Sequence, residues 1–274
     1  MNLYIDFGGT NFRYQLDEAS ITTLASDTID LKIFLDEIIE KYPNISFIGI
    51  SFAGQVQNGK IISSPNAHTQ NFDVKTYIEE KYKISLAIDN DLNCAALAEH
   101  NALQVKSLAV FYIGTGFGSA FIDNNQLVAG ANNKAGEIGH IPFKKTPFTC
   151  GCGRDDCIEL YVSGNGIKHW CSYFNLDTQY HRLDKLESLN NDITNIIVTN
   201  FYEGLSHVFH TSLNLFDFDH LVLGGSVGNH PKIKSFLEEQ FLQSAFKREK
   251  LSISLSTLHE GSLQGTKLLT NTFK

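Results

Sequence analysis

The chain has 274 residues, 42% of them hydrophobic and 19% charged, the balance of a folded globular protein and not of a disordered one. A chain of this length suits one large domain or two modest ones. Its net charge of −8 and the lack of any Lys/Arg cluster longer than a pair argue against nucleic acid and anionic membranes as partners. No apolar run approaches the roughly 20 residues that span a bilayer, and no export signal is visible at the start. The expectation is therefore a cytoplasmic protein, whose cysteines are reduced thiols or metal ligands.

In chain order, Leu3, Tyr4 and Ile5 form a strand that runs into Asp6 and the Gly8-Gly9 turn. Short strands over 12–16 and 21–26 follow, as in an antiparallel meander. Leu31, Phe34, Leu35, Ile38 and Ile39 repeat at helical spacing behind Asp30, an N-cap candidate. A strand over 47–51, a helix over 74–82, a strand over 85–88 and an Ala-rich helix over 92–98 complete a β-β-β-α-β-α-β-α order. The pattern then restarts. An apolar strand over 108–113 ends at Gly114-Thr115-Gly116, and strands over 119–122 and 127–128 flank the Asn124-Asn125 turn. The longest helix is predicted over 192–213, with Ile193, Ile196, Ile197, Phe201, Leu205, Val208 and Phe209 on one stripe. A strand over 221–223, a helix around 236–241, a strand over 253–255 and a closing helix from Leu263 follow. Two β-rich starts, each followed by alternating helices and strands, imply two α/β lobes of similar plan.

Three strands end in glycine turns: Asp6-Phe7-Gly8-Gly9-Thr10, Gly114-Thr115-Gly116-Phe117-Gly118, and Gly224-Gly225-Ser226-Val227-Gly228. Glycine lets backbone N–H groups approach a phosphate, and ligands of α/β sheets sit beyond the carboxyl ends of strands. Asp6 and Thr10 add a carboxylate and a hydroxyl for a hydrated Mg²⁺. None of the three is a P-loop or a Rossmann fingerprint. Between them, Cys150, Cys152 and Cys157 lie within eight residues, ten positions after His140. Three thiolates and an imidazole form a closed, structural zinc set, which would rigidify a loop that also carries Glu137 and Glu159. Cys94 and Cys171 are isolated in apolar surroundings and read as packing residues. Finally, Asp91 stands at a strand-to-helix junction in Asp89-Asn90-Asp91-Leu92-Asn93. It either caps the helix or accepts a proton from a substrate alcohol during phosphoryl transfer, with Asn90 orienting that alcohol.

These motifs together resemble the ROK family (repressors, open reading frames and sugar kinases), and within it the bacterial glucokinase type. The carriers are the 6–10 turn, Asn90-Asp91-Leu92-Asn93-Cys94-Ala95-Ala96, the 114–118 turn, Ala135-Gly136-Glu137-Ile138-Gly139-His140, and Cys150-Gly151-Cys152-Gly153 through Cys157-Ile158-Glu159. The Glu-x-x-His segment with three cysteines is the most specific of them. The chain departs from the family pattern at 51–56, where a Gly-x-Pro-Gly turn is usual, at Leu92, and at 67–69.

The resemblance implies an actin-like (ribonuclease H-like), two-lobed α/β sugar kinase fold, each lobe a mixed β-sheet flanked by helices. The expected lobes are 1–104 joined by a C-terminal helix 262–274, and 105–261 carrying a zinc loop over 140–157. It further implies Asp91 as the base on the sugar 6-hydroxyl and Asn66, Asn90, Glu137, His140 and Glu159 as sugar contacts. Asp6, Gly8, Gly9, Thr10, Gly114, Thr115 and Gly116 match phosphate and Mg²⁺ positions. Gly224, Gly225 and Val227 match the adenosine side, and His140, Cys150, Cys152 and Cys157 the zinc ligands. His140 would then serve zinc with one ring nitrogen and sugar with the other. The implied activity is ATP- and Mg²⁺-dependent phosphorylation of a hexose, glucose first, by a cytoplasmic homodimer. N-acetylmannosamine, N-acetylglucosamine and fructose are alternative substrates. A sugar-responsive regulator without catalysis is the alternative of another class, disfavoured because only five residues precede Asp6.

Overall fold

The computed structural model describes residues 1–63, 71–244 and 250–269. The chain opens with strands β1 (Asn2–Phe7), β2 (Asn11–Leu16) and β3 (Thr22–Ala25), helix α1 (Leu31–Lys41) and strand β4 (Phe47–Phe52). Short strands β5 (Gln55–Gln57), β6 (Lys60–Ser63) and β7 (Phe72–Asp73) precede α2 (Val74–Tyr82), β8 (Ser85–Asn90) and α3 (Asp91–Leu103). Then come β9 (Leu108–Ile113), β10 (Phe117–Asp123) and β11 (Gln126–Leu127). Helices α4 (Gly164–Tyr173), α5 (Leu183–Leu189) and α6 (Asp192–Phe216) lead to β12 (His220–Gly224), α7 (Gly225–Gly228), α8 (Pro231–Leu242), β13 (Ser252–Leu255) and α9 (Gly261–Thr266). The chain divides into two compact units, one of Met1–Gln104, Gln126–Ala135 and Leu258–Lys274, the other of Val105–Asn125 and Gly136–Thr257.

In the first unit the sheet order is β3-β2-β1-β4-β8, antiparallel through β2 and β3 and parallel through β1, β4 and β8. The period-2 alternation of a strand assigns two faces. Leu3, Ile5 and Phe7 stand in register with Ile48, Ile50 and Phe52, and Leu86 and Ile88 continue two of those rows. Asn90 ends the third row; the rest of that face is apolar, and it packs with Leu31, Leu35, Ile38 and Ile39 of α1 and Val74 and Ile78 of α2. The opposite face carries smaller and polar residues: Gly49, and the in-register row Asp6, Ser51 and Asp89. Small residues are required there because α9 and α3 approach closely. A Cβ on Gly49 would sit 2.6 Å from the Thr266 carbonyl oxygen, and one on Gly265 1.8 Å from that of Cys94.

Asp30 does cap α1, accepting the N–H groups of Lys32 and Ile33. The small antiparallel sheet β5-β6-β7 was not anticipated, although Asn58 and Gly59, at φ +51° and +83°, form the Asn-Gly hairpin turn that marks such a pair. The expected closing helix proves short: α9 ends at Thr266, and 270–274 lie outside the described residues.

In the second unit β9 is central, antiparallel to β10 and parallel to β12, which pairs in turn with β13. Leu108, Ala109, Val110 and Phe111 are all buried, as a strand covered on both faces requires. The long helix α6 starts from an Asn191–Thr194 capping box. Ile197, Phe201, Leu205, Val208 and Phe209 are buried as expected, but Ile193 and Ile196 are not: they are 38% and 49% exposed. The first turns of α6 bury Thr194 and Ile197 instead, which leaves Ile193 and Ile196 on the outward side. Helices α4 and α5 were also not anticipated: α4 opens on Gly164-Asn165-Gly166, which read locally as a turn, and α5 spans only seven residues. Both lobes are therefore mixed sheets flanked by helices, as the α/β expectation requires.

Candidate active site

In the first unit, functional side chains gather at the carboxyl ends of β1, β4 and β8. Asp6 is 5% exposed. Its Oδ1 accepts from the Ser51 hydroxyl at 3.0 Å and its Oδ2 from Arg13 Nη1 at 3.1 Å, while Arg13 Nε pairs with Glu260 at 2.9 Å. Burial pushes the Asp6 carboxyl up from its ordinary value, against the lowering influence of Ser51 and Arg13. Gly8, Gly9 and Thr10 form the turn beyond β1, held by the Gly8 N–H on the Asn11 carbonyl and by Ser26, whose hydroxyl donates to the Gly8 carbonyl at 2.7 Å. Gly9 and Thr10 are exposed.

Asp91 is the first residue of α3, and the choice between cap and base is informed by its neighbour. Asn90 is the N-cap: its Oδ1 accepts the Leu92 N–H at 2.8 Å, and its Nδ2 donates to the Gly54 carbonyl at 3.0 Å. Asp91 Oδ1 lies on the same N–H at 3.0 Å. The helix therefore keeps a cap without Asp91. The Asp91 carboxyl is pushed up to about 7, first by burial and then by the charge of Asp6. A carboxyl poised near neutrality is matched to proton transfer. Asn66 lies outside the described residues.

In the second unit, the 114–118 turn, the β12–α7 turn and the start of α4 converge. The N–H groups of Gly164 and Asn165 donate to the carbonyls of Gly114 and Thr115 at 2.8 and 3.0 Å. Gly225 sits at φ +81°, and a Cβ there would lie 2.5 Å from the Ile113 carbonyl oxygen, so only glycine permits this approach. Around these turns lies a cavity of about 380 Å³ lined by Gly114, Thr115 and Val227 together with Lys168, Arg182 and His230. Gly116 and Gly224 serve packing: a Cβ on the first would meet the Glu159 carboxylate at 2.7 Å, and on the second the Tyr112 ring at 2.3 Å.

Ligand atoms of His140, Cys150, Cys152 and Cys157 all lie within 4.8 Å of one another. His140 Nδ1 faces Cys150 Sγ at 3.4 Å, and the sulfurs of Cys152 and Cys157 are 3.3 Å apart. Three sulfurs and one nitrogen at this spacing are compatible with tetrahedral structural zinc. His140 Nε2 points instead to the Glu137 carboxylate at 3.9 Å, so the two ring nitrogens have separate partners. Glu159 Oε2 accepts the Phe117 N–H at 2.9 Å and thereby joins the Cys157-Ile158-Glu159 segment to the 114–118 turn. Cys94 and Cys171 are buried and unbridged.

Several residues at these sites have no role assigned from sequence: Ser51 and Arg13 around Asp6, Asp89 beside Asn90, and Lys168 and His230 at the cavity. The available signal was a polar residue in an otherwise apolar strand, at Ser51 and Asp89.

The sequence model of the ROK family matches residues 3–272. The chain belongs to the ROK family. Among its ROK relatives, the N-acetyl-D-glucosamine kinase of Photobacterium profundum is 29% identical over 252 residues, covering 82% of this chain and 83% of that one. The xylose repressor of Bacillus spizizenii is 28% identical over 198 residues, covering 70% of this chain and 52% of the repressor; the chain thus spans about half the length of that relative. The crystal structure of a ROK hexokinase from Thermus thermophilus superposes with a TM-score of 0.81 at 22% identity, covering 97% of this chain and 96% of the other. The fold is accordingly the actin-like fold of ROK sugar kinases. Among the described residues no helix is long and apolar enough to cross a membrane.

Proposed function

We propose that this ROK protein transfers the terminal phosphoryl group of ATP to the 6-hydroxyl of a hexose, with glucose as the leading substrate. The observation that carries this reading is the Asp91 carboxyl, raised to about 7 by burial and by Asp6 at the carboxyl ends of the parallel strands β1, β4 and β8, on a helix already capped by Asn90. Asp91 takes the alcohol proton as the oxygen attacks phosphorus, and Asn90 orients the alcohol. The 8–10 and 114–118 turns receive phosphates, and the second-unit cavity, lined by Val227, Lys168 and the Arg182–Asp184 ion pair, suits the nucleotide. Mg²⁺ would supply charge neutralisation at the phosphates. Each Asp6 oxygen already receives one donor, so Asp6 fits a magnesium-bound water better than the bare ion. Glu137, His140 and Glu159 contribute sugar contacts from a segment that zinc stiffens.

Two further observations bear on substrate. In the resemblance to the glucokinase type, the Gly153-Arg154-Asp155-Asp156 stretch is similar to that type, and the relationship to an N-acetyl-D-glucosamine kinase keeps N-acetylated hexosamines as the nearest alternatives. The xylose repressor match favours a second reading, a sugar-responsive regulator without turnover. A coupled ATP assay paired with calorimetric binding over glucose, mannose, fructose, N-acetylglucosamine and N-acetylmannosamine separates them. Turnover on glucose supports the leading reading, turnover on another sugar moves the substrate, and sugar binding without turnover on any sugar overturns the kinase assignment. Homodimer assembly in the cytoplasm belongs to the same proposal and is tested by light scattering.

A further inference from the structure

Asp89 precedes Asn90 and Asp91 and stands in register with Ser51 and Asp6, yet neither role proposed above uses it. It is 1% exposed, and its two oxygens are treated very differently. Oδ1 accepts three donors: the Asn90 N–H at 2.7 Å, Asn93 Nδ2 at 2.8 Å and Asn133 Nδ2 at 2.8 Å. Oδ2 is buried with no hydrogen-bond partner among the described residues. A half-satisfied buried carboxylate is costly, and starting α3 does not require it, because Asn90 caps that helix. What the three donors have in common is that they come from separate pieces of chain. One is the main chain entering α3, one is the first turn of α3, and one is the loop 129–135.

That loop has few other anchors. Asn133, held at φ +53°, also donates to the Val56 carbonyl at 3.0 Å, and Asn132 accepts from Gln57 Nε2 at 3.0 Å. Both of these contacts go to β5, so Asp89 supplies the anchor toward the β8–α3 junction. From the loop the chain continues directly into Ala135-Gly136-Glu137. The geometry points to Asp89 as a positioning residue: through one oxygen it locks Asn133, and with it loop 129–135, onto the junction that bears Asn90 and Asp91, so that this edge is built before a sugar arrives. The consequence for sugar rests on the kinase reading; the locking does not. Preorganisation of this kind lowers the ordering cost of binding.

The test uses Asp89→Ala, which removes the accepting oxygen, Asn133→Ala and the double variant of the full chain, with two measurements. Amide hydrogen exchange without ligand is expected to rise over 129–135 in each variant and to stay unchanged over 192–216. Calorimetric glucose binding without nucleotide is expected to weaken on the order of tenfold in each single variant, with the KM for ATP within about twofold of the parent. The double variant is expected to be no weaker than the weaker single one, because both substitutions remove the same contact. A purely structural role lowers the melting temperature without this split between sugar and ATP. Unchanged exchange over 129–135 in Asn133→Ala overturns the inference, as does multiplicative weakening in the double variant. If the parent binds no hexose while exchange responds as stated, the kinase reading fails and the locking stands.

Discussion

Asp91→Asn tests the proposed base through stability as well as rate. A carboxyl raised from 3.8 to about 7 is disfavoured as an anion in the folded state. At pH 8, where the group is ionised in both folded and unfolded chains, that penalty is about 4 kcal/mol at most, and solvent at this half-buried position reduces it to on the order of 1–3 kcal/mol. The sign follows from linkage. A raised carboxyl binds its proton more tightly when folded, so the stability it contributes is complete below the unfolded value of 3.8 and is lost as pH climbs through about 7. Asn has no such loss. The variant should therefore gain stability relative to the parent at pH 8 and show almost none of that gain at pH 4. Asn90 still accepts the Leu92 N–H, so the start of α3 survives. Hexose turnover should fall by at least about 10³-fold, with sugar affinity nearly unchanged. The parent's kcat/KM should decline tenfold per pH unit below about 7. Urea unfolding at pH 4 and 8, paired with a coupled ATP assay, measures all of this. Near-parental kcat refutes the assignment of the base, and equal stability at pH 8 refutes the claim that the site holds an unfavourable anion.

Other positions give independent checks. One zinc per chain should be found by elemental analysis, and Cys157→Ser, at a fully buried sulfur, should lose it and lower the melting temperature by about 5 °C or more. Gly265→Ala drives a Cβ to 1.8 Å from the Cys94 carbonyl oxygen and should cost about 3 kcal/mol in urea unfolding, since the obstacle is backbone. Gly225→Ala combines φ +81° with a 2.5 Å clash on the Ile113 carbonyl oxygen, which disturbs the turn beside the second-unit cavity. It should raise the KM for ATP about tenfold and leave glucose affinity in calorimetry unaltered; the reverse pattern would place the nucleotide elsewhere.

Local chemistry was legible in the amino-acid order. The run Leu3 to Phe7, the Asp30 cap, the Asn124-Asn125 turn and the glycine turns are written within a few residues of one another, so their physics is local. The His140, Cys150, Cys152 and Cys157 set was readable because few other arrangements of three thiols and an imidazole in so short a span make chemical sense. Short elements were less visible: β5, β6 and β7 hold two to four residues each, too few for a periodicity to emerge. Register across strands was beyond the sequence altogether. That Asp6, Ser51 and Asp89 form one row, that Arg13 reaches Asp6, that Asn133 reaches Asp89 across 44 positions, and that α9 fits only over Gly49 of β4 and, through its own Gly265, against Cys94 of α3 all follow from which strands pair and how closely helices pack. Such contacts join segments far apart in the chain, and only the folded arrangement brings them within hydrogen-bond distance.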